Sequence, residues 1–364
     1  MTRVALAASW LNQYGGAERV LEVLHGMLPT APVYTSMYAP QAMPEAYRSW
    51  DIRTSFMQRL PLVTRKHQWF LPLYPLAFES MRVGDCDLLI SNTSAFAHGI
   101  RTGPGVAHIC YCLTPARFLW DYASYVQREQ LGHGLRAVLP AVIGLLRSWD
   151  YAAAQRVTHF VAISRLVGER IKRCYGRESA IIYPPLDAQA YSPSPDHDDF
   201  FLIVSRLIPY KRIDLAVQAC SQLGLPLRII GDGRDRAHLE RLAGPTVRFL
   251  GHLPDADVKE HLRRCRAFIF PGEEDFGLAP LEAMASGRPV IAYGAGGALE
   301  TIVEGVTGAF FREPTVESLA EAVRTFDAAV YDPVAIRRHA EGFDRSVFTE
   351  RLRSFVKQMT GLSV

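Results

Sequence analysis

Short apolar runs alternate with helical patterns along almost the whole chain. In the second half these runs read FFLIVSRL, LRIIGDG, VRFLG, AFIFPG, PVIAY and TGAFF. In the first half the strand candidates are Val4–Ser9, Val33–Tyr34, Leu88–Ser91, His108–Leu113, His159–Ile163 and Ala180–Tyr183. Buried-type strands that are separated by helices form parallel sheets. The pattern therefore predicts an α/β protein with one parallel sheet in each half.

The length and one polar segment divide the chain. With 364 residues the chain is too long for one ordinary hydrophobic core. Between the two series of strands lies PPLDAQAYSPSPDHDD, which is rich in Pro, Ser and Asp and is the best linker candidate. We expect a first domain at 1–187, a linker at 188–199 and a second domain at 200–344, with residues 345–364 forming a final helix.

The composition is typical of a cytoplasmic enzyme. The formal net charge of +3 is mild and does not by itself indicate nucleic-acid binding. The six cysteines are dispersed without a C-x-x-C pair, which predicts reduced core residues. The first ten residues, MTRVALAASW, predict a first strand and not a signal peptide, and no apolar run approaches the roughly 20 residues that span a bilayer.

The segment AFIFPGEEDFGLAPLEAMASGR, residues 267–288, is the most informative for function. A buried-type strand precedes an acidic loop and then a helix, so the helix N-terminus faces the carboxyl end of the strand. Anionic ligands bind at such positions in open α/β sheets. Glu274 and Glu282 bracket this corner with seven residues between them; either one alone could be only a helix cap or dipole partner.

Two basic residues follow the first strand of the same half. In VSRLIPYKRIDLAV, Arg206 and Lys211 flank one strand end, and the parallel arrangement places them at the same sheet edge as Glu274. Fixed cations at this position can stabilise charge that develops on a leaving phosphate, each contributing on the order of 10²–10³ in rate. One such residue alone is usually an ordinary solvated side chain.

Glycine turns follow two other predicted strands. Gly231 and Gly233 follow LRII, where a tight turn is as good an interpretation as a ligand contact. Gly15 and Gly16 follow the first strand and open a helix, but this loop lacks the third glycine and the acidic partner of a dinucleotide fingerprint. Glycine fits where backbone must approach a ligand closely.

The pair Glu274 and Glu282 around Phe276-Gly277 resembles the E-x7-E signature of retaining, nucleotide-sugar-dependent glycosyltransferases of family four. The resemblance implies the GT-B fold, with two Rossmann-like domains facing across a central cleft and the C-terminal helix returning to brace the first domain. It implies that Arg206 and Lys211 hold the donor diphosphate, so that no metal is required. It also implies that Glu274 contacts hydroxyls of the transferred sugar and that Glu282 accepts from the ribose hydroxyls.

The same resemblance extends to loops of both halves. Gly231 and Gly233 resemble the nucleobase wall, with the backbone around His252 opposite, and Gly15 and Gly16 resemble the loop that closes over donor phosphate and acceptor. Together with the catalytic set Arg206, Lys211 and Glu274, the implied donor-binding residues are Gly15, Gly16, Gly231, Gly233, His252, Phe276, Gly277, Leu278 and Glu282.

On the acceptor side the sequence departs from the family pattern. SNTSAFAHGIRT (91–102) and ICYCLTPARFLWD (109–121) resemble acceptor-domain segments, but many relatives have a histidine where this chain has Leu113. Either main-chain groups of Leu113 and Thr114 suffice there, or a neighbour such as His98 substitutes; a merely surface-exposed His98 is the alternative. The acceptor-side candidates are His98, Leu113, Thr114 and Arg117.

Three further motifs carry a weaker signal. Asp85-Cys86-Asp87 spells a D-x-D metal motif but precedes its strand, at the wrong end of the sheet. Residues 196–199 of the linker predict solvated charge more than a metal site, and we assign Glu273 to solvent. Gly296-Gly297 could be a plain helix start or could close on the sugar.

Residues 53–72 mix basic and aromatic side chains. Arg59, Arg65 and Lys66 interleave with Phe56 and Trp69. A base-stacking nucleic-acid surface, a contact with anionic membrane, and an exposed amphipathic helix that merely covers the domain are all compatible with this pattern. The membrane contact is favoured over the nucleic-acid surface.

The resemblance to bacterial polysaccharide mannosyltransferases completes the interpretation. It implies a metal-independent hexosyltransferase without a cofactor, with GDP-mannose as first choice of donor and UDP-hexose as second. The implied acceptor is a saccharide or lipid-linked saccharide, and the implied location is cytoplasmic or peripheral on the inner face of the plasma membrane. The alternatives are a nucleotide-sugar 2-epimerase of the same fold and a non-enzymatic carbohydrate-binding protein.

Overall fold

A computed structural model describes residues 2–121 and 133–364, and for residues 133–138 it describes the backbone alone. The chain divides into two compact units. The first comprises Met1–Tyr183 and Phe348–Val364, and the second comprises Pro184–Val347.

The first unit is built on a parallel sheet of seven strands. They are β1 (Val4–Ala8), β2 (Val33–Thr35), β3 (Ile52–Thr54), β4 (Leu88–Thr93), β5 (Ala107–Cys112), β6 (His159–Ala162) and β7 (Ser179–Ile181). Their order is β3-β2-β1-β4-β5-β6-β7. The described helices of this part are α1 (Gly16–Met27), α2 (Tyr74–Glu79), α3 (Arg117–Trp120), α4 (His133–Arg156) and α5 (Arg165–Tyr175).

The second unit is built on a parallel sheet of six strands. They are β8 (Phe201–Val204), β9 (Leu227–Ile230), β10 (Val247–Gly251), β11 (Ala267–Phe270), β12 (Val290–Tyr293) and β13 (Gly308–Phe311), in the order β10-β9-β8-β11-β12-β13. The helices are α6 (Ile213–Leu223), α7 (Arg236–Leu242), α8 (Asp255–Arg264), α9 (Leu278–Ala285), α10 (Ala298–Thr301), α11 (Val316–Arg324) and α12 (Pro333–Glu341).

Each sheet has its own hydrophobic core. In the first unit alternate residues of β1 and β4, among them Ala5, Ala7 and Leu89, pack against Tyr74 and Phe78 from α2. In the second unit Phe201, Ile203 and Ile229 pack with apolar residues of α6 and α11. The α/β class predicted from the alternating pattern, with one parallel sheet in each half, is therefore confirmed. The short edge strand β3 was not predicted.

The last helix, α13 (Arg345–Thr360), packs on the first unit. Phe348, Leu352 and Val356 are buried, and their spacing of four residues places them on one face of the helix. The ring of Phe348 meets the ring of Tyr111 edge-on, with centroids 5.6 Å apart. This apolar stripe explains why the helix lies on a sheet and not in solvent.

Residues 188–199 lie in the second unit and are held there by arginines. The buried side chain of Arg288 donates to the carbonyl oxygens of Ser194 and Asp196. Arg264 pairs with Asp198, and Arg266 pairs with Asp199 at 3.2 Å. The charged run at 196–199 is thus tied to the second unit by ion pairs and hydrogen bonds.

Candidate functional site

The strand order of the second unit creates one position where connections leave in opposite directions. β8 lies between β9 and β11, and the chain proceeds from β8 toward β9 but reaches β11 only by a crossover. The loops at the carboxyl ends of β8 and β11 are therefore neighbours that diverge, which opens a crevice typical of ligand sites in such sheets. Residues 205–212 and 271–277 form these two loops.

Lys211 is positioned by a short turn after β8. Pro209–Lys211 form a single 3₁₀ turn, and Arg212 then adopts a left-handed conformation with φ of 50° before α6 begins. A non-glycine residue rarely occupies this region. The Arg212 side chain hydrogen-bonds Asp214, with Nε 3.2 Å from Oδ1. The turn directs Lys211 to the edge of the sheet.

Lys211 and Glu274 form an ion pair across the two loops. Their side chains are 15% and 19% exposed, so both are largely withdrawn from water while keeping a solvent-facing side. The pair agrees with the predicted placement of these residues at one sheet edge. An ammonium group has three donors, so a lysine held by one carboxylate can still donate to a second anion.

Glycines allow the loops around this pair to pack backbone on backbone. A Cβ on Gly272 would lie 2.8 Å from the Lys211 carbonyl oxygen, and one on Gly297 would lie 2.3 Å from the Cα of Phe276. The N–H of Gly297 donates to the carbonyl oxygen of Glu274 at 2.8 Å. The turn after β12 therefore supports the loop that carries Glu274. Sequence reasoning left Gly296-Gly297 undecided and did not single out Gly272.

The Gly231–Gly233 turn packs against the loop after β8. A Cβ on Gly231 would lie 2.0 Å from the carbonyl oxygen of Ser205, and one on Gly233 would lie 2.2 Å from that of Leu207. Gly231 also has φ of 124°, which side chains disfavour. Packing against the neighbouring strand end is thus sufficient to require both glycines.

The other donor-side candidates surround the same edge. Arg206 is exposed and forms no ion pair among the described residues, and His252 is exposed after β10. Gly277, with φ of 93°, precedes α9, which begins at the half-buried Leu278. Phe276 and Glu282 are buried, with Glu282 about one turn inside α9.

The first sheet has the same kind of switch point, between β1 and β4, where the connections leave in opposite directions. Gly15 caps α1 with an extended backbone, and Gly16 is its first, exposed residue. Asn92, at the end of β4, donates from Nδ2 to the carbonyl oxygen of Ala17 at 2.7 Å. Tyr14 donates to Glu22 at 2.9 Å; burial, with the nearby Glu22 carboxylate, raises the pKa of Tyr14 to about 12.

The acceptor-side candidates do not all reach one surface. The N–H of Leu113 already donates to the carbonyl oxygen of Thr93 at 2.8 Å, and the Thr114 hydroxyl accepts from Arg170 at 3.3 Å. Arg117 is half-buried and begins α3. The main-chain donor of Leu113 is therefore engaged within the sheet.

His98 is not at the surface. It is 2% exposed, and its Nε2 lies 3.3 Å from Oδ1 of the fully buried Asp150 on α4. Asp150 also accepts from Trp120 at 2.7 Å and Tyr175 at 2.8 Å. The hypothesis that His98 replaces the missing family histidine at the sheet edge is corrected: a side chain enclosed by this network is not available to an acceptor.

The two acidic motifs form ion pairs with arginines. Asp85 and Asp87 both pair with Arg3, at 3.1 and 3.2 Å. Within residues 2–121 and 133–364, no group of three or more His, Cys, Asp or Glu side chains is arranged to hold a metal ion. Over the same residues no helix is long and apolar enough to cross a membrane.

Residues 53–72 comprise the end of β3 followed by a series of turns, and do not form an amphipathic helix. Phe56–Arg59 and His67–Leu73 are 3₁₀ segments. Trp69 is 67% exposed, with the Lys66 ammonium 4.1 Å from its ring centroid. Exposed apolar and basic groups therefore occur together in this segment.

Comparison with known proteins agrees with this geometry. Residues 187–327 match the family model described as Glycosyl transferases group 1. One relative is a glycogen synthase of Pseudomonas aeruginosa, which is 27% identical over 78% of this chain and 56% of the synthase. Another is a GDP-mannose-dependent alpha-mannosyltransferase of Mycolicibacterium smegmatis, which is 38% identical over 32% of this chain and 31% of that enzyme. An uncharacterised glycosyltransferase of Methanocaldococcus jannaschii is 23% identical over 45% of this chain and 48% of its own. The chain thus aligns with between about a third and somewhat over half of the length of these relatives.

Two solved structures cover the chain almost completely. Sucrose-phosphate synthase from Thermosynechococcus elongatus has a TM-score of 0.77 at 16% identity, covering 99% of this chain and 100% of its own. Anabaena HepE in complex with UDP has a TM-score of 0.72 at 18% identity, covering 98% and 100%. The fold of two Rossmann-like units is that of the GT-B glycosyltransferases. Within this fold, residues 187–327 are similar to the group 1 glycosyltransferases.

Proposed function

We propose that this protein transfers a hexose from a nucleoside diphosphate sugar to a hydroxyl of a saccharide, with retention of anomeric configuration and without a metal ion. The observation that carries the proposal is the ion pair of Lys211 and Glu274 at the switch point of the second sheet, inside the residues that match the glycosyltransferase family. A cation beside a carboxylate is suited to a substrate that joins a diphosphate to a sugar.

The two charges serve different parts of such a donor. Lys211, held by Glu274, donates its remaining N–H groups to the diphosphate, while the Glu274 carboxylate accepts from hydroxyls of the sugar. Arg206 at the end of β8 supplies a second cation. Glu282 is buried in α9, where a carboxylate can accept from ribose hydroxyls.

The reaction that fits is a front-side displacement. The bond between the anomeric carbon and the phosphate oxygen breaks, and the acceptor oxygen bonds to that carbon from the same face. The acceptor proton passes to the leaving phosphate oxygen. Negative charge grows on the diphosphate as the bond breaks, so fixed cations there stabilise the transition state more than the ground state.

GDP-mannose is our first choice of donor and a UDP-hexose the second. The first is supported by the GDP-mannose-dependent relative and the second by the UDP complex of the structural neighbour. A lipid-linked saccharide in cell-surface polysaccharide assembly is the proposed acceptor. The exposed Trp69 and Leu62, beside the basic Arg65 and Lys66, support a peripheral contact with anionic membrane.

A donor screen tests the proposal directly. Thermal unfolding is measured with GDP-, UDP- and ADP-sugars, and a ligand at 100 times its Kd stabilises by about 2.7 kcal/mol. Transfer from the best donor is then followed with EDTA present, and NMR of the product reads the anomeric configuration. An inverted product, or activity that EDTA abolishes and manganese restores, contradicts the mechanism. Free UDP released without acceptor favours the 2-epimerase, and donor binding without turnover favours a binding protein.

A further inference from the structure

A cavity of about 410 Å³ opens at the opposite edge of the second sheet from Lys211 and Glu274. It lies at the amino ends of β8, β9 and β10, where Phe200, Arg228, Thr246 and Arg248 line it. Small-molecule sites occupy about 300–1,000 Å³, so the cavity is large enough for a small metabolite. We call it the edge pocket.

Two arginines stand directly opposite each other beside the edge pocket. In the parallel pairing of β9 and β10, Arg228 is the register partner of Arg248. Neighbouring strands are about 5 Å apart, and like charges directly opposite are destabilising. Over the described part of the chain neither arginine forms an ion pair with a carboxylate. The fold therefore places two arginines that have no ion-pair partner among the described residues on adjacent strands.

The Arg228 guanidinium packs against an aromatic ring. It lies 3.8 Å from the ring centroid of Phe200, which is buried immediately before β8. A cation over an aromatic face is attracted by the ring, and the contact limits the rotamers of the arginine. The entropic cost of ordering the Arg228 side chain when a ligand binds is therefore reduced.

The carboxylates at the edge pocket are already neutralised. Asp198 pairs with Arg264, and Asp199 pairs with Arg266. The hydrogen bond from Arg264, with smaller contributions from nearby positive charges including Arg228, lowers the pKa of Asp198, so it remains ionised and paired. The positive charge left at the pocket belongs to Arg228 and Arg248.

A hydroxyl completes the lining. Thr246 Oγ1 is buried and has no hydrogen-bond partner among the described residues. A buried polar atom without a partner is costly, and a ligand oxygen is one group that could satisfy it. Two guanidinium groups and one hydroxyl are a donor set that suits a tetrahedral oxyanion.

We propose that the edge pocket binds a phosphate-bearing small molecule at a site separate from the switch point of the same sheet. Its phosphate lies between Arg228 and Arg248 and removes their mutual repulsion. This inference does not rest on the proposed transferase activity, because no residue of the edge pocket belongs to the candidate active site.

The test uses the full chain and inorganic phosphate, followed by equilibrium dialysis and thermal unfolding. The key variant is Arg248→Gln, which removes the charge but keeps a polar side chain at an exposed position. Lys211→Met serves as a background in which phosphate binding at the switch point is weakened. We expect Arg248→Gln to weaken phosphate affinity roughly tenfold or more in both backgrounds. Without phosphate, the same variant should melt at a higher temperature than the parent.

The matched control is Arg241→Gln, which removes an exposed arginine of α7 outside the edge pocket. It should leave phosphate affinity unchanged. A hexose 6-phosphate is measured in parallel: tighter binding than phosphate identifies a sugar phosphate, and equal binding identifies free phosphate, both consistent with the site. The proposal is overturned by the absence of saturable binding at millimolar phosphate, or by equal affinity in Arg248→Gln and the parent.

Discussion

The two sheets share a strand order around their switch points but place different chemistry there. In the second unit the loops after β8 and β11 bring Lys211 and Glu274 together with partial access to water. In the first unit the corresponding loops after β1 and β4 bring the neutral Asn92 to the start of α1. The first arrangement suits a charged ligand. The second presents the Asn92 amide and, in the first turn of α1, the buried carboxylate of Glu18.

A buried pair of a basic and an acidic side chain lies elsewhere in the first unit. His98 and Asp150 are buried in a polar network with Trp120 and Tyr175, away from solvent. The same kinds of group, a carboxylate and a basic side chain, thus serve as a partly open site in one unit and as an enclosed structural network in the other. Burial, more than residue type, separates the two uses.

The largest expected effect comes from Lys211→Ala. Removing the cation should lower turnover roughly 10²-fold or more, because charge on the leaving diphosphate loses its partner. The measurement is steady-state transfer with the best donor, with circular dichroism to verify folding. Lys172→Ala is the matched control, since this lysine of the first unit forms a surface ion pair with Glu178 at 2.7 Å. Surface pairs contribute about 0–1 kcal/mol, so the control should behave as wild type. Equal loss in both variants would contradict a specific role.

Gly297→Ala should have the next largest effect. Its Cβ would overlap the Phe276 backbone and displace the loop that carries Glu274. We expect turnover to fall about tenfold and unfolding free energy to fall by roughly 1–3 kcal/mol, as for an overpacked site. Urea unfolding and transfer kinetics measure the two effects.

Gly26→Ala is the control for that change in the other unit. A Cβ there meets nothing within 4 Å, and the residue lies in the last turn of α1. Alanine is favoured over glycine by roughly 0.5–1 kcal/mol in a helix interior and by less near a helix end, so this variant should keep or slightly gain stability and keep its activity. Unchanged activity in Gly297→Ala would show that the turn after β12 does not position Glu274.

The sequence predicted the parts of this comparison that depend on local pattern. Alternating apolar runs gave the two parallel sheets, and the position of each residue after its strand put Lys211 and Glu274 at one edge. The burial of His98 could not be predicted in this way, because its partner Asp150 lies 52 residues later on α4. The contact of Gly297 with Phe276 is also tertiary. A glycine pair in the sequence does not show whether it packs against a ligand or against another part of the backbone.

The segment at 53–72 shows a second limit. Its mixture of basic and aromatic residues was compatible with an amphipathic helix, but the structure forms separate 3₁₀ turns. Pro61 and Pro72 lack the N–H that a continuous helix needs. A short edge strand such as β3, of three residues, is also below the length at which alternation can be recognised.

Asn92→Ala should have a smaller and more selective effect. It removes the hydrogen bond to the Ala17 carbonyl, and a hydrogen bond of this kind contributes about 0.5–1.5 kcal/mol. If the switch point of the first unit takes the acceptor, the KM for acceptor should rise up to about tenfold while donor affinity stays constant. Ser49→Ala, which removes an exposed local hydrogen bond of the same unit, is the control. A rise in donor KM instead would assign this switch point to the donor.

The smallest expected effect is a pH dependence of stability in the first unit. Burial acts to lower the pKa of His98, but the charge and hydrogen bond of Asp150 outweigh it and raise the pKa above its usual 6.5. The stability from the charged pair is therefore fully present below about pH 6.5 and is lost as pH rises through the folded-state pKa. Urea unfolding of wild type and His98→Gln at several pH values should show the difference between them shrinking as pH rises.

His25→Gln supplies a control of opposite sign. Burial lowers the pKa of His25, which stacks on Trp50 with ring centroids 3.9 Å apart. The folded state favours the neutral imidazole of His25. The stability that this residue contributes is therefore lost as pH falls below about 6.5. The difference in unfolding free energy between His98→Gln and wild type should therefore shrink as pH rises, whereas the difference between His25→Gln and wild type should shrink as pH falls. Parallel curves would mean that Asp150 does not hold a charged His98, and that the enclosed network of the first unit is neutral, unlike the open ion pair of the second.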